Sequence, residues 1–168
     1  MSTQEKILIL NHTQVGQKIT RMAYQIYENN FKEEHIVLAG ISGGGYILAQ
    51  RLQKALGLIS PITIQLIEVS LDKKSPNPSN IQVSQAVQSF HGQTVILVDD
   101  VLNTGRTMAY CMCPFLEAGV KKLQTAVVVD RSHAQFPVSA TYVGYAFATT
   151  LQDYIEVSFD TPEGVYMS

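Results

Sequence analysis

Two neighbouring carboxylates, Asp99 and Asp100, close the apolar run Val95-Ile96-Leu97-Val98 and precede Leu102-Asn103-Thr104-Gly105-Arg106-Thr107. The apolar run suits a strand buried on both faces. Side chains alternate along a strand, so adjacent aspartates sit badly in a hydrophobic layer, and the pair is expected where the strand leaves the sheet. In an open parallel sheet that end is the ligand crevice. Carboxylates there can accept hydrogen bonds from vicinal sugar hydroxyls. The amides of the following turn, with the Thr104 and Thr107 hydroxyls, can donate to a phosphate. The same residues also fit a carboxylate-capped turn and an ordinary strand-to-helix loop.

A second loop follows a similar logic. His35-Ile36-Val37-Leu38-Ala39 reads as a strand, residues 46–56 read as a helix stopped by Gly57, and Gly40-Ile41-Ser42-Gly43-Gly44-Gly45 joins them. Consecutive glycines cost chain entropy, which is worthwhile where something approaches the backbone closely. An anion held on backbone N–H groups is one such object, and a purely structural turn is the alternative. The spacing matches neither the dinucleotide fingerprint nor the Walker loop.

The elements that must position these loops follow from periodicity. Residues 7–10 read as a short edge strand, and residues 14–29 as an amphipathic helix with Thr13 as N-cap and Lys18 and Arg21 toward its polar side. Residues 62–69 alternate as a strand, residues 70–80 lack apolar periodicity, and residues 81–90 suit a small hairpin or irregular flap. Helix is expected over 107–118 with Gly119 as its stop, and strands over 123–129, 141–145 and 154–159. This alternation argues for one α/β domain over residues 1–168 with a mostly parallel sheet.

Composition narrows the function classes. Twelve Lys and Arg stand against 14 Asp and Glu, a formal charge of −2, which gives no general argument for nucleic-acid binding. Cys111 and Cys113, two apart on a helix, are expected to act as small hydrophobes rather than a disulfide. His12, His35 and His91 form no evident metal cluster. No stretch reaches transmembrane length and no basic leader precedes an apolar core, so the expectation is a cytoplasmic protein without a membrane partner.

The stretch from residue 94 to 108 resembles the phosphoribosyl-diphosphate (PRPP) signature of type I phosphoribosyltransferases. The resemblance runs from about residue 19 to 159. Within the family it is closest to the bifunctional pyrimidine-operon regulator / uracil phosphoribosyltransferase subgroup. It is carried by Ile19-Thr20-Arg21-Met22-Ala23, the PRPP-like stretch, Ala126-Val127-Val128-Val129-Asp130-Arg131-Ser132-His133 and Tyr142-Val143-Gly144. It implies a central, mostly parallel sheet flanked by helices, with a small hood and a flexible loop at about 70–92. Asp99 and Asp100 would engage the ribose hydroxyls, and Asn103, Thr104, Gly105, Arg106 and Thr107 the 5′-phosphate. Ser42, Gly43 and Gly44 would take the diphosphate, with Lys73 and Lys74 in reach from the flexible loop or merely solubilising it. Arg131 and His133 would lie near the base, Arg131 against diphosphate or a packed carboxylate, His133 as a base donor or bonded to a backbone carbonyl.

The implied activity is pentosyl transfer from PRPP with Mg²⁺ to uracil or a related base, giving a nucleoside monophosphate and diphosphate. The alternatives are a nucleotide-sensing, RNA-binding regulator of pyrimidine genes with weak or no catalysis, and a transferase for another base. A homodimer or higher homo-oligomer is implied, while the charge balance disfavours RNA. Three departures bear on this reading. Asn103 stands where the family usually has tyrosine, residues 42–44 carry no basic side chain, and residues 67–71 lack the usual acidic pair.

Overall fold

The computed structural model describes residues 5–72, 74 and 80–168. Lys73, one of the two lysines expected to reach a diphosphate, lies outside them. Among the described residues the chain forms β1 (Ile7–Asn11), α1 (His12–Asn30), β2 (His35–Ile41), α2 (Gly44–Ile59), β3 (Thr63–Ser70) and β4 (Gln82–Val83). A short 3-10 turn at Val87–Phe90 leads to β5 (Thr94–Leu102), α3 (Arg106–Ala118), β6 (Lys122–Asp130), β7 (Tyr142–Ala146), β8 (Ile155–Ser158) and β9 (Gly164–Met167). The main sheet has the order β4-β3-β2-β5-β6-β7, parallel except for β4. A separate antiparallel sheet, β1-β9-β8, forms the hood.

Alternation along the central strands builds two cores. Ile36, Leu38, Ile96 and Val98 pack with α1 and α2, including Met22, Ile26, Leu48 and Leu52. Val37, Ala39, Val95 and Leu97 face the other way, onto Met108, Cys111 and Phe115 of α3. Burial on both faces explains why these strands read as unbroken apolar runs.

Several boundaries differ from the sequence reading for identifiable reasons. The aspartate pair does not end its strand: β5 runs on to Leu102, with Asp99 paired to Val127 and Val101 to Val129. Asn11 rather than Thr13 caps α1, in a reciprocal capping box with Gln14. Gly57 lies inside α2, which continues to Ile59 and ends at Ser60. Gly119 does stop α3, in the left-handed conformation (φ 71°). The hood strand β9 has no counterpart among the expected elements.

Gly40 in β2 fixes how closely α2 approaches the sheet. A Cβ there would meet the Tyr46 Cα at 2.6 Å and the Ala49 Cβ at 3.0 Å. Gly40→Ala is therefore expected to lower unfolding stability by roughly 1–3 kcal/mol through overpacking. Urea denaturation checks this, and an unchanged midpoint would contradict the close packing.

Candidate functional site

A cleft of about 170 Å³ opens at the C-terminal end of β5, lined by residues 99–108 together with Tyr154 and Ile155 of the hood. The aspartate pair occupies the end of the strand that leads into it. Asp99 is buried, with its Oδ1 accepting the Asp100 amide at 2.9 Å. Asp100 is half-buried, and its Oδ1 accepts the Val101 amide at 2.8 Å. Each carboxylate thus fixes the backbone that follows it. Asp100 keeps the more open oxygens, while Asp99 is held deeper.

The loop after β5 is shaped by its neighbours. Gly105 sits at φ 85°, a left-handed conformation that L side chains rarely adopt, and it precedes the first turn of α3. The first-turn amides of a helix have no intrahelical acceptor and carry the positive end of its dipole. The cap position is Gly105, which has no side chain to offer. The Thr104 carbonyl accepts the Gln135 and Phe136 amides, and the Thr104 hydroxyl accepts the Arg106 amide at 3.3 Å. Arg106 itself is exposed. The loop is therefore braced from behind, and the first-turn residues Arg106, Thr107 and Met108 line the cleft.

The glycine loop lies beside the carboxylates because β2 and β5 are parallel neighbours. A Cβ on Gly44 would come within 2.3 Å of Asp100 Oδ2, and one on Gly45 within 2.6 Å of the Val98 carbonyl oxygen. Gly43 adopts φ 92°. The object that approaches this backbone closely is the chain's own aspartate strand. Ser42 is engaged within the chain: its amide donates to Val69 O at 2.8 Å and its hydroxyl to Glu68 Oε1 at 3.0 Å.

Arg131 joins the turn before β8 to the loop that follows β5, and His133 meets the same turn. Arg131 donates through Nη1 to Asn103 Oδ1 at 2.8 Å, through Nε to the Thr149 hydroxyl at 3.0 Å, and through Nη2 to the Thr150 and Asp153 carbonyls. His133 Nε2 shares the Thr149 hydroxyl at 3.0 Å. Ser132 between them has φ 59°, and Asp130 Oδ1 accepts its amide. Arg131 thus bonds both to Asn103 and to the hood turn, where it meets Asp153 through that residue's carbonyl.

The chain matches the phosphoribosyl transferase domain model over residues 8–161. Two bifunctional PyrR proteins, from Bacillus cereus and Bacillus anthracis, are 34% identical to it over 164 residues, covering 92% of this chain and 91% of theirs. The chain belongs to the type I phosphoribosyltransferase family. Solved relatives share the fold at lower identity. A hypoxanthine-guanine phosphoribosyltransferase from Bacillus anthracis has a TM-score of 0.75 at 18% identity, with 96% of each chain covered. The Trypanosoma cruzi hypoxanthine phosphoribosyltransferase in complex with IMP has a TM-score of 0.72 at 20% identity, covering 92% of this chain and 86% of that one.

Sequence reasoning missed Tyr154, Ile155, Thr149, Asp153 and Glu68. Tyr154 and Ile155 reach the cleft at the start of β8, Thr149 and Asp153 meet Arg131 from the turn before it, and Glu68 reaches Ser42 across the β2–β3 pairing. None of these relations leaves a local sequence signal.

The Asp153 carboxyl closes the hood turn, accepting from the Thr150 amide and hydroxyl at 2.8 Å. These bonds, first the backbone amide and then the hydroxyl, hold its pKa below the ordinary 3.8, aided by Arg131 and His133. A depressed carboxyl stabilises the fold above its unfolded pKa and loses that contribution as pH falls through the folded value. The Thr150 amide is expected to stay protected from hydrogen exchange at neutral pH and to lose protection only below about pH 3.8. Asp153→Asn should weaken that protection at neutral pH. Identical protection in both proteins would contradict the assignment.

Proposed function

We propose that the cleft binds a phosphoribosyl ligand, and that the chain works as a nucleotide-sensing relative of the bifunctional regulators, with slow transfer onto uracil or another base. The observation that carries this reading is the joint lining of one cleft by the aspartate pair and the first turn of α3. The 5′-phosphate would be held by the amides and hydroxyls of Asn103, Thr104, Gly105, Arg106 and Thr107. Asp100, with Asp99 behind it, would accept hydrogen bonds from the ribose hydroxyls. A base would then extend toward the hood, with Tyr154 at the cleft wall and His133 and Arg131 holding the Thr149–Asp153 side in place.

The neutral glycine loop favours sensing over fast turnover. Transfer from PRPP requires the departing diphosphate's charge to be offset. Ser42, Gly43 and Gly44 bring no cation to that task, and Ser42's amide and hydroxyl are bonded within the chain.

Mg²⁺ would supply the missing charge when it arrives bound to PRPP. Among the described residues no cluster of three or more His, Cys, Asp or Glu could hold a metal alone, so the donor set fits a cation carried by the ligand with Asp100 nearby. No helix among the described residues is long and apolar enough to cross a membrane.

A regulator that acts on RNA would draw on Lys18, Arg21, Arg51 and Lys54, the candidates for a basic face in the first half of the chain. Arg21 is bonded to the Val143 and Gly144 carbonyls, Arg51 pairs with Glu163, and Lys18 lies over the Tyr145 ring. RNA binding through this face is accordingly expected to be weak at physiological salt. Nanomolar, sequence-selective binding there would contradict it. A homodimer or higher homo-oligomer is the assembly the family relationship suggests.

Calorimetry with uridine 5′-monophosphate tests the cleft itself. Asp100→Asn is expected to weaken binding at least about tenfold, the loss of a charge-assisted hydrogen bond. Unchanged affinity would refute the role given to the aspartates. In a PRPP assay, diphosphate release should be slow with uracil, and rapid turnover would overturn the sensing emphasis.

A further inference from the structure

The glycine loop is bracketed by carboxylates. On one side Glu68 accepts the Ser42 hydroxyl at 3.0 Å. On the other, Asp100 lies so close to Gly44 that a Cβ would be 2.3 Å from its Oδ2. Among the described residues no Lys or Arg forms an ion pair with either group. Glu68 is also firmly placed. Its amide donates to the Ser84 hydroxyl at 3.0 Å, its carbonyl accepts the Ser84 amide at 3.0 Å, and its Cα is in register with Gly40. The strand that supplies it is thus held from both sides, by β2 and by β4.

This arrangement opposes an anion where the loop's glycines and position at the start of α2 would otherwise favour one. Backbone donors attract negative charge, but a fixed carboxylate beside them subtracts from that attraction, and the Ser42 amide is already bonded to Val69. Ligands that share a 5′-phosphate and ribose differ only at the anomeric carbon. A nucleoside monophosphate carries a neutral base there, and PRPP carries a diphosphate.

We infer that Glu68 is a specificity-determining residue that selects nucleoside 5′-monophosphates over PRPP by opposing the diphosphate at the glycine loop. The inference rests on the proposed ligand orientation in the cleft. It gives the sensing reading a direction: the protein reports nucleotide product more readily than activated precursor. Glu68→Gln isolates the charge, because glutamine retains an acceptor for the Ser42 hydroxyl while losing the negative charge. The residue is exposed, so the variant is expected to fold normally.

Calorimetry of the full chain with uridine 5′-monophosphate and with PRPP, each with and without Mg²⁺, provides the test. The wild type is expected to bind the monophosphate more tightly than metal-free PRPP. Glu68→Gln should tighten metal-free PRPP by roughly tenfold at low salt and leave the monophosphate within about twofold, with the gain shrinking at high salt. Unchanged PRPP affinity in the variant would overturn the inference while leaving the cleft assignment standing. Weaker Mg²⁺–PRPP binding in the variant would also overturn it, by making Glu68 a cation ligand. If the wild type bound neither ligand, the cleft assignment itself would fall and the inference with it.

Discussion

The parallel pairing of β2 with β5 is the constraint on which the site depends. It brings two strand-to-helix loops out at the same edge of the sheet, one rich in glycine and one led by aspartates. Neither loop could take its present path alone. Asp100 occupies the space a side chain at Gly44 would need, and Gly45 presses on the Val98 carbonyl and the Asp99 backbone. The glycines therefore have a cause inside the fold before any ligand is considered. What they leave behind is a narrow, carboxylate-lined opening at the positive end of α3.

The hood is fastened to that opening chiefly by Arg131. Its guanidinium joins the Asn103 carboxamide to Thr149, Thr150 and Asp153, so the loop after β5 and the turn before β8 are parts of one hydrogen-bonded unit. A ligand that ordered one of these parts would bear on the other. The connection gathers four partners onto one planar group. It also suits a side chain with several donors in a fixed plane, which lysine could not replace.

Much of this was legible in the sequence because the central strands are buried on both faces. Val95 to Val98 and Val37 to Ala39 announce themselves as apolar runs, and Gly119 as a helix stop. The family resemblance rested on the first of these runs, with Ile19–Ala23, Ala126–His133 and Tyr142–Gly144. The aspartate pair was harder to place. An argument from burial put it outside the sheet, whereas Asp99 stays paired with Val127 because β6 continues alongside and each carboxylate takes up the next amide. Asn11 was overlooked as a cap because it ends a strand as well as starting a helix. The partnership of Ser42 with Glu68, and the reach of Arg131 to Asp153, depend on tertiary pairing that no local pattern records.

Where a bound nucleotide sits decides whether the cleft at the end of β5 is the binding site. Amide chemical-shift mapping by NMR during titration with uridine 5′-monophosphate tests this most directly. The largest changes should fall on Asp100, Gly105, Thr107 and Met108, with a connected response at Thr150 and Tyr154 in the hood. Changes confined to the separate hollow around His12, Phe159 and Glu163, or none at the start of α3, would contradict it.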